Sequence, residues 1–385
     1  MWRHIASNFL TFLVVVVFLL AGLILWGQTQ YNSAGPLESS ICLRVERGSN
    51  MRAVSRELEE RGAITSGMLF RVGADYTDKA AQLKAGSWLL PEGASMAEVT
   101  DLITRGGAST CGTEVVYRIG VTQVRAEVRE LDPQTEAYRE VVEFDPTAEG
   151  EAPAEYREVT QQNDTRYRIA VAEGVTSWQV VNGLNAIDVM SGEIDGLPPE
   201  GSLAPFGWEI EKGDDRTGLL FEMTELQKER LAEAWAARPA ESPLKDPSEV
   251  LILASIIEKE TGVPEERRTV ASVFLNRLER GMRLQTDPTV IYGITKGQGT
   301  LGRGLRQSEL RQATPYNTYV IEGLPPTPIA NPGEASLMAA VNPDGADYLF
   351  FVADGTGGHA FARTLDEHNA NVARWRQIEA ERAND

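Results

Sequence analysis

Histidine and cysteine are scarce in this 385-residue chain, and cationic residues are well outnumbered by acidic ones. Three histidines (His4, His359 and His368) and two cysteines offer few of the softer metal donors, so neither a metal site nor a cofactor is expected. Lys and Arg total 37 against 56 Asp and Glu, a net charge of −19. That balance leaves nothing to neutralise a phosphate backbone, which argues against a nucleic-acid partner. It suits a chain that must stay soluble beside anionic polymers. With 42% hydrophobic and 24% charged residues, the composition is that of a globular protein long enough for two or three domains.

Charge is missing altogether from Phe9 to Trp26, a run about as long as a bilayer core is thick. A cleaved signal peptide is the competing reading, but no small-residue cleavage site follows the run. Ser40-Ile41 also stands before Cys42, where a lipoprotein signal wants a small residue next to the cysteine. A retained membrane anchor over residues 9–27 is therefore expected. Arg3 would keep residues 1–8 in the cytoplasm by the positive-inside rule, and all that follows would be exported. Cys42 and Cys111 bracket one apparent domain. In an oxidising compartment they form a disulfide or stay as two thiols, and spacing does not decide between the two.

Past a polar linker at 28–40, one local pattern recurs. Gly48 precedes Val54 and Leu58, Gly93 precedes Val99 and Ile103, and Gly174 precedes Val180 and Leu184. A glutamate stands shortly before each glycine (Glu46, Glu92 and Glu173). The spacing predicts a strand end, a glycine turn and an amphipathic helix, with Ser95 and Glu98 forming a capping box for the second copy. Two copies with a strand from Lys84 to Leu90 between them make 41–112 a small α+β module resembling LysM-like wall-binding modules. Residues 113–204 read as an α+β connecting region. It holds an acidic insertion at about 123–164, expected to be part strand or helix and mobile around Thr147–Ala154. From 205 to 385 the pattern is mixed and mainly helical. It ends in a β-hairpin, Tyr348 to Val352 and His359 to Arg363, around a glycine-rich turn.

Within this last region the stretch Ser255-Ile-Ile-Glu-Lys-Glu-Thr261 stands out. Asp246 caps its helix, Pro247 takes the first helical position, and Val250 to Ile257 is apolar except for Ser255. Such a helix is buried, and Glu258 lies over Ala254 and Leu251 at its rim. A carboxyl desolvated there is expected to hold its proton and to serve as a general acid. A solvated helix end is the alternative reading of these residues alone. Loops rich in hydrogen-bonding and aromatic side chains follow: Gln285, Thr286 and Asp287, then Tyr316, Asn317 and Tyr319. Rings beside amides and acids suit a sugar, whose faces are apolar and whose rim is hydroxyls. Glu260, two residues from Glu258, points to another face and is not paired with it.

These stretches resemble the YceG-like family of endolytic murein transglycosylases. The resemblance rests on Leu253 to Thr261, Ala271 to Leu278, Met282 to Tyr292, Tyr316 to Tyr319, Gly323 to Pro326, Tyr348 to Asp354 and Gly357 to His359. The acidic insertion and the run Gly201-Ser-Leu-Ala-Pro-Phe-Gly-Trp208 depart from the family pattern. The resemblance implies an α+β architecture of anchor, LysM-like module and catalytic domain. It also implies cleavage of the β-1,4 bond between N-acetylmuramic acid and N-acetylglucosamine to leave 1,6-anhydro ends. Glu258 falls on the family's catalytic glutamate, and Gln285, Asp287, Tyr316, Asn317 and Tyr319 are expected to position the glycan. Peptidoglycan strands, and peptidoglycan synthases beside them, are the implied partners. A water-using muramidase with Asp287 as second carboxylate, and a non-catalytic wall-binding scaffold, remain the alternatives.

Overall fold

The uncharged run near the amino terminus is helical. In the computed structural model α1 spans Trp2–Asn32, and its segment Asn8–Asn32 is long and apolar enough to cross a membrane. The described residues are 2–162 and 164–382. Met1 of the expected cytoplasmic stretch, Asn163 of the insertion and residues 383–385 of the last domain lie outside them, as does the side chain of Arg3. The first residues of the expected linker are not linker at all. α1 continues to Asn32 because Tyr31 is buried, with its hydroxyl donating to Thr100 Oγ1 (2.8 Å). Gly73 permits that approach, since a Cβ there would sit 2.2 Å from the Tyr31 ring.

The chain divides into two units. The first holds Met1–Val115, Glu127–Glu143 and Ala152–Arg166. After α1 come β1 (Ile41–Val45), α2 (Met51–Glu60), α3 (Gly67–Tyr76), β2 (Gly86–Leu90) and α4 (Met96–Arg105). β1 and β2 are antiparallel, with Ile41 opposite Leu90 and Val45 opposite Gly86. The glycine turns form as the repeated spacing requires: Gly48 and Gly93 adopt φ of +82° and +67°, which side-chain-bearing residues disfavour. Val54, Leu58, Val99 and Ile103 then point inward and join Leu43, Phe70 and Trp88 in one core. Ser95 and Glu98 form the expected capping box. Cys42 and Cys111 are disulfide-bonded, with Cα atoms 5.7 Å apart, which resolves the open alternatives.

The acid-rich stretch at 123–164 is largely ordered secondary structure. After β3 (Thr113–Ile119) it supplies β4 (Val124–Asp132), β5 (Ala137–Phe144) and α5 (Ala154–Val159). β4 buries alternate residues (Val124, Ala126 and Val128), while β5 is exposed along most of its length, so the extra carboxylates face water.

The second unit holds Val116–Ala126, Phe144–Glu151 and Tyr167–Asp385. Its elements begin with β6 (Arg166–Val171), α6 (Ser177–Asn185), β7 (Gly207–Ile210), α7 (Arg216–Ala237) and α8 (Pro247–Glu260). A 3-10 turn at Pro264–Glu266 leads to α9 (Arg267–Glu279), α10 (Asp287–Thr295), α11 (Gln307–Arg311) and α12 (Glu334–Val341). β8 (Phe350–Ala353), β9 (His359–Ala362) and α13 (Leu365–Arg382) close the chain. β6 and β7 are antiparallel, with Tyr167 opposite Ile210. α8 runs through the helical core, with Leu253, Ala254, Ile256 and Ile257 fully buried against Val270 and Phe274 of α9 and Leu337 and Ala340 of α12. Asp246 caps it as expected, accepting from the amides of Ser248 and Glu249.

Candidate active site

The last turn of α8 sends three successive charged side chains to different surroundings. Glu258 comes first. Its side chain is 6% exposed, so it is neither a solvated helix end nor sealed off. Oε2 accepts from the Gly333 amide (3.0 Å) just before α12, and Oε1 lies 3.8 Å from Arg267 Nη2 at the start of α9. The same Nη2 is 3.5 Å from Glu173 Oε2, in the turn between β6 and α6. The apolar wall expected from helical spacing is thus only one side of the Glu258 environment. An amide, a guanidinium and a second carboxylate form the other.

This acid pair is locked in by backbone. Gly174, with φ of +78°, packs against Glu258 Cγ, and a Cβ there would lie 3.5 Å from it. Its amide donates to the Asn331 carbonyl (2.9 Å), and the Asn331 amide donates to Val175 (2.8 Å). The fully buried Asn331 side chain completes the clamp, donating to the Val175 carbonyl (3.1 Å) and accepting from the Leu203 amide (3.0 Å). Gly333 has no room for a side chain, because a Cβ there would fall 1.8 Å from Glu173 Oε1. Burial first, and then the charge of Glu258, push the Glu173 carboxyl above the usual carboxylate range.

Lys259 turns the other way. Its ammonium donates to the Gly174 carbonyl (3.1 Å), and desolvation lowers its pKa. Nearby, Glu200 accepts from the Ser177 amide (2.8 Å) and the Tyr292 hydroxyl (3.1 Å), and burial raises its pKa. Tyr292 packs on Tyr316 with ring centroids 5.1 Å apart, and Tyr316 in turn bonds Thr327 (2.8 Å) and carries Lys296 Nζ 5.2 Å from its ring centre.

Glu260 faces a separate polar group, in keeping with its assignment to another helix face. It accepts from the Thr286 hydroxyl, and burial raises its pKa, helped by the charge of Asp287. The exposed Asp287 accepts from the Tyr319 hydroxyl (2.6 Å), so these two residues of distant loops are brought together. Gln285 is exposed and left-handed (φ +51°), its amide donating to the Thr318 carbonyl (3.1 Å).

Asn317, also among the expected site residues, sits differently. Asn317 is fully buried. Its Nδ2 donates to the carbonyls of Glu309, Leu310 and Gln312 at 3.0, 3.2 and 2.7 Å, and its Oδ1 accepts from the Tyr319 amide. These bonds tie together the loop that carries Tyr316 and Tyr319.

The sequence model of the YceG-like family matches residues 43–374. The chain belongs to the YceG-like family. Among its relatives, the endolytic murein transglycosylase of Bacillus subtilis (strain 168) is 46% identical over 120 residues, 31% of this chain and 32% of that protein. The endolytic murein transglycosylase of Streptococcus pneumoniae serotype 2 is 27% identical over 388 residues, 96% of this chain and 65% of that protein. The match therefore spans less than two thirds of either relative. A solved yceG-like protein from Listeria monocytogenes is 24% identical, with a TM-score of 0.45, covering 86% of this chain and 98% of that one.

Four residues of this candidate site escape a reading of the sequence. Glu173 belongs to the glutamate-before-glycine pattern, but its two counterparts lie in the other unit, so the pattern carries no chemistry. Arg267 reads as a polar residue at a helix start, and Glu200 and Lys259 as surface charges. Only tertiary placement gathers them.

Proposed function

We propose that this chain is a membrane-anchored endolytic lytic transglycosylase of peptidoglycan, with Glu258 as its general acid and base. The observation that carries the reading is Glu258 itself: a shielded carboxyl ending a buried helix, with one oxygen fixed by an amide and the other facing a guanidinium. Membership of a family whose relatives are named endolytic murein transglycosylases supports it.

Protonated Glu258 gives its proton to the glycosidic oxygen between N-acetylmuramic acid and N-acetylglucosamine. The C1–O bond breaks towards an oxocarbenium-like state. The O6 hydroxyl of the same muramic residue attacks C1 and loses its proton to the Glu258 carboxylate, which restores the acid. No water is consumed and a 1,6-anhydro end is formed. One carboxyl is enough because the nucleophile is already attached to the electrophile, and its attack is effectively intramolecular. The Gly333 amide would stabilise the carboxylate stage, being a fixed dipole aimed at the developing charge.

Tyr316, Tyr319, Asp287 and Gln285 are assigned to glycan positioning, the rings against sugar faces and the polar atoms against hydroxyls. Asn317 supports them from beneath. The 41–112 module is read as LysM-like and wall-binding, residues 113–204 as connecting region and 205–385 as the catalytic domain. The apolar helix is read as a single-pass anchor in the inner membrane, with the amino terminus cytoplasmic and the rest exported. Cleavage there would trim or terminate new strands beside peptidoglycan synthases.

Mass spectrometry of sacculi digested with the full chain tests the reaction class. Anhydro-terminated fragments, lighter by one water than reducing-end fragments, are expected. Reducing ends would make the chain a muramidase, and intact sacculi would leave a scaffold.

A further inference from the structure

We propose that Glu173 is a positioning residue that holds Arg267 off Glu258 until the proton leaves, so that one guanidinium serves two carboxylates in turn. The proposal rests on Glu258 being the acid.

The geometry is that of a shared cation. Arg267 Nη2 stands 3.5 Å from Glu173 Oε2 and 3.8 Å from Glu258 Oε1, both longer than a committed hydrogen bond. Arg267 Nε is buried without a hydrogen-bond partner among the described residues, so that nitrogen does not pin the guanidinium. The two acids differ in exposure, 44% for the Glu173 side chain against 6% for Glu258. Glu173 is therefore the member that reaches water, while Glu258 is the shielded one.

The polar and charged groups around the pair come from five places in the fold. Glu258 faces Arg267 from α9, Glu173 from the β6–α6 turn, the Gly333 amide before α12, and its neighbour Lys259. Glu173 faces Glu258 and Arg267, and also feels Arg230 of α7, which lies 3.9 Å from Glu334. Before reaction Arg267 sits with Glu173 and the Glu258 proton is retained. When that proton passes to the glycosidic oxygen, Arg267 leans to the new carboxylate. It returns as the O6 proton is taken up.

Glu173→Gln keeps size and removes the counter-charge, leaving Arg267 to Glu258 alone. The proton then leaves Glu258 at lower pH, so the alkaline limb of the kcat profile moves down by about one pH unit at low salt. That is a loss of about tenfold at neutral pH that recovers to within about threefold of the parent near pH 5, with KM within about twofold. Added salt should shrink the displacement, because Glu173 is half in water. Arg267→Gln moves the limb the opposite way. The full chain in detergent is assayed on glycan strands, with melting curves to verify folding. An equal loss at every pH, or profiles overlying the parent, would overturn the proposal. Retained cleavage by Glu258→Gln would instead sink the reading beneath it, so the two failures are distinguishable.

Discussion

Replacing Asn331 with alanine measures how the acid pair is held. The backbone bonds through Gly174 and Val175 survive the change, and the Val175 carbonyl keeps the Asn331 amide at 2.8 Å. Two side-chain bonds are lost, and the Leu203 amide, whose residue is fully buried, is left without its acceptor. An orphaned buried amide costs about 1–3 kcal/mol and a lost but compensated bond about 1 kcal/mol, which together give about 2–4 kcal/mol. For a unit of this size each kcal/mol moves the midpoint by about 2–4 °C, so the unit should melt about 4–16 °C lower. Differential scanning calorimetry of the full chain reads this directly. Glycan cleavage well below the midpoint should fall through kcat and not KM, because Gly174 and Gly333 flank the two acids. A midpoint within about 2 °C of the parent would show that the clamp carries little of the energy assigned to it.

Glu200 gives a pH test. Burial raises its folded pKa, so between its unfolded and folded values the native chain binds more protons than the unfolded one. The stabilisation is full below the unfolded value and is lost as pH rises through the folded value. Glu200→Gln should therefore gain melting temperature over the parent at about pH 8 and gain little at about pH 5; the reverse order would contradict the assignment. Asn317→Ala should destabilise by about 2–4 kcal/mol, since three carbonyls lose one donor and the Tyr319 amide its acceptor. Chemical denaturation reads that cost, and a rise in KM without loss of stability would restore Asn317 to the glycan site.

The elements of this chain are written in short signals, and its site is not. Asp246, Pro247 and the apolar run to Ile257 define α8 because capping and periodicity are local, and the glycine turns at 48, 93 and 174 follow from a conformation side chains resist. The same logic misleads at Asn331-Pro332. Those residues resemble a helix start, yet α12 begins at Glu334 without a side-chain cap, and Asn331 turns inward to the Leu203 amide. Tertiary demand for that buried bond overrides the local preference. The burial of Asn317 is likewise invisible in the sequence, since an amide in a polar loop looks the same whether it faces solvent or three carbonyls. Glu258 was legible because a charge at the end of a dry helix is conspicuous. Glu173 and Arg267 were not, because each is ordinary where it stands and acquires meaning only beside the other, 94 residues away.

The central claim is that one carboxyl performs both proton transfers. Glu258→Gln in the full chain, assayed on intact sacculi beside the parent and checked for an unchanged melting temperature, tests it most directly. The account predicts that release of anhydro-terminated fragments falls at least about a thousandfold while glycan binding persists. Fragment release by a folded variant at a rate near the parent's would contradict it.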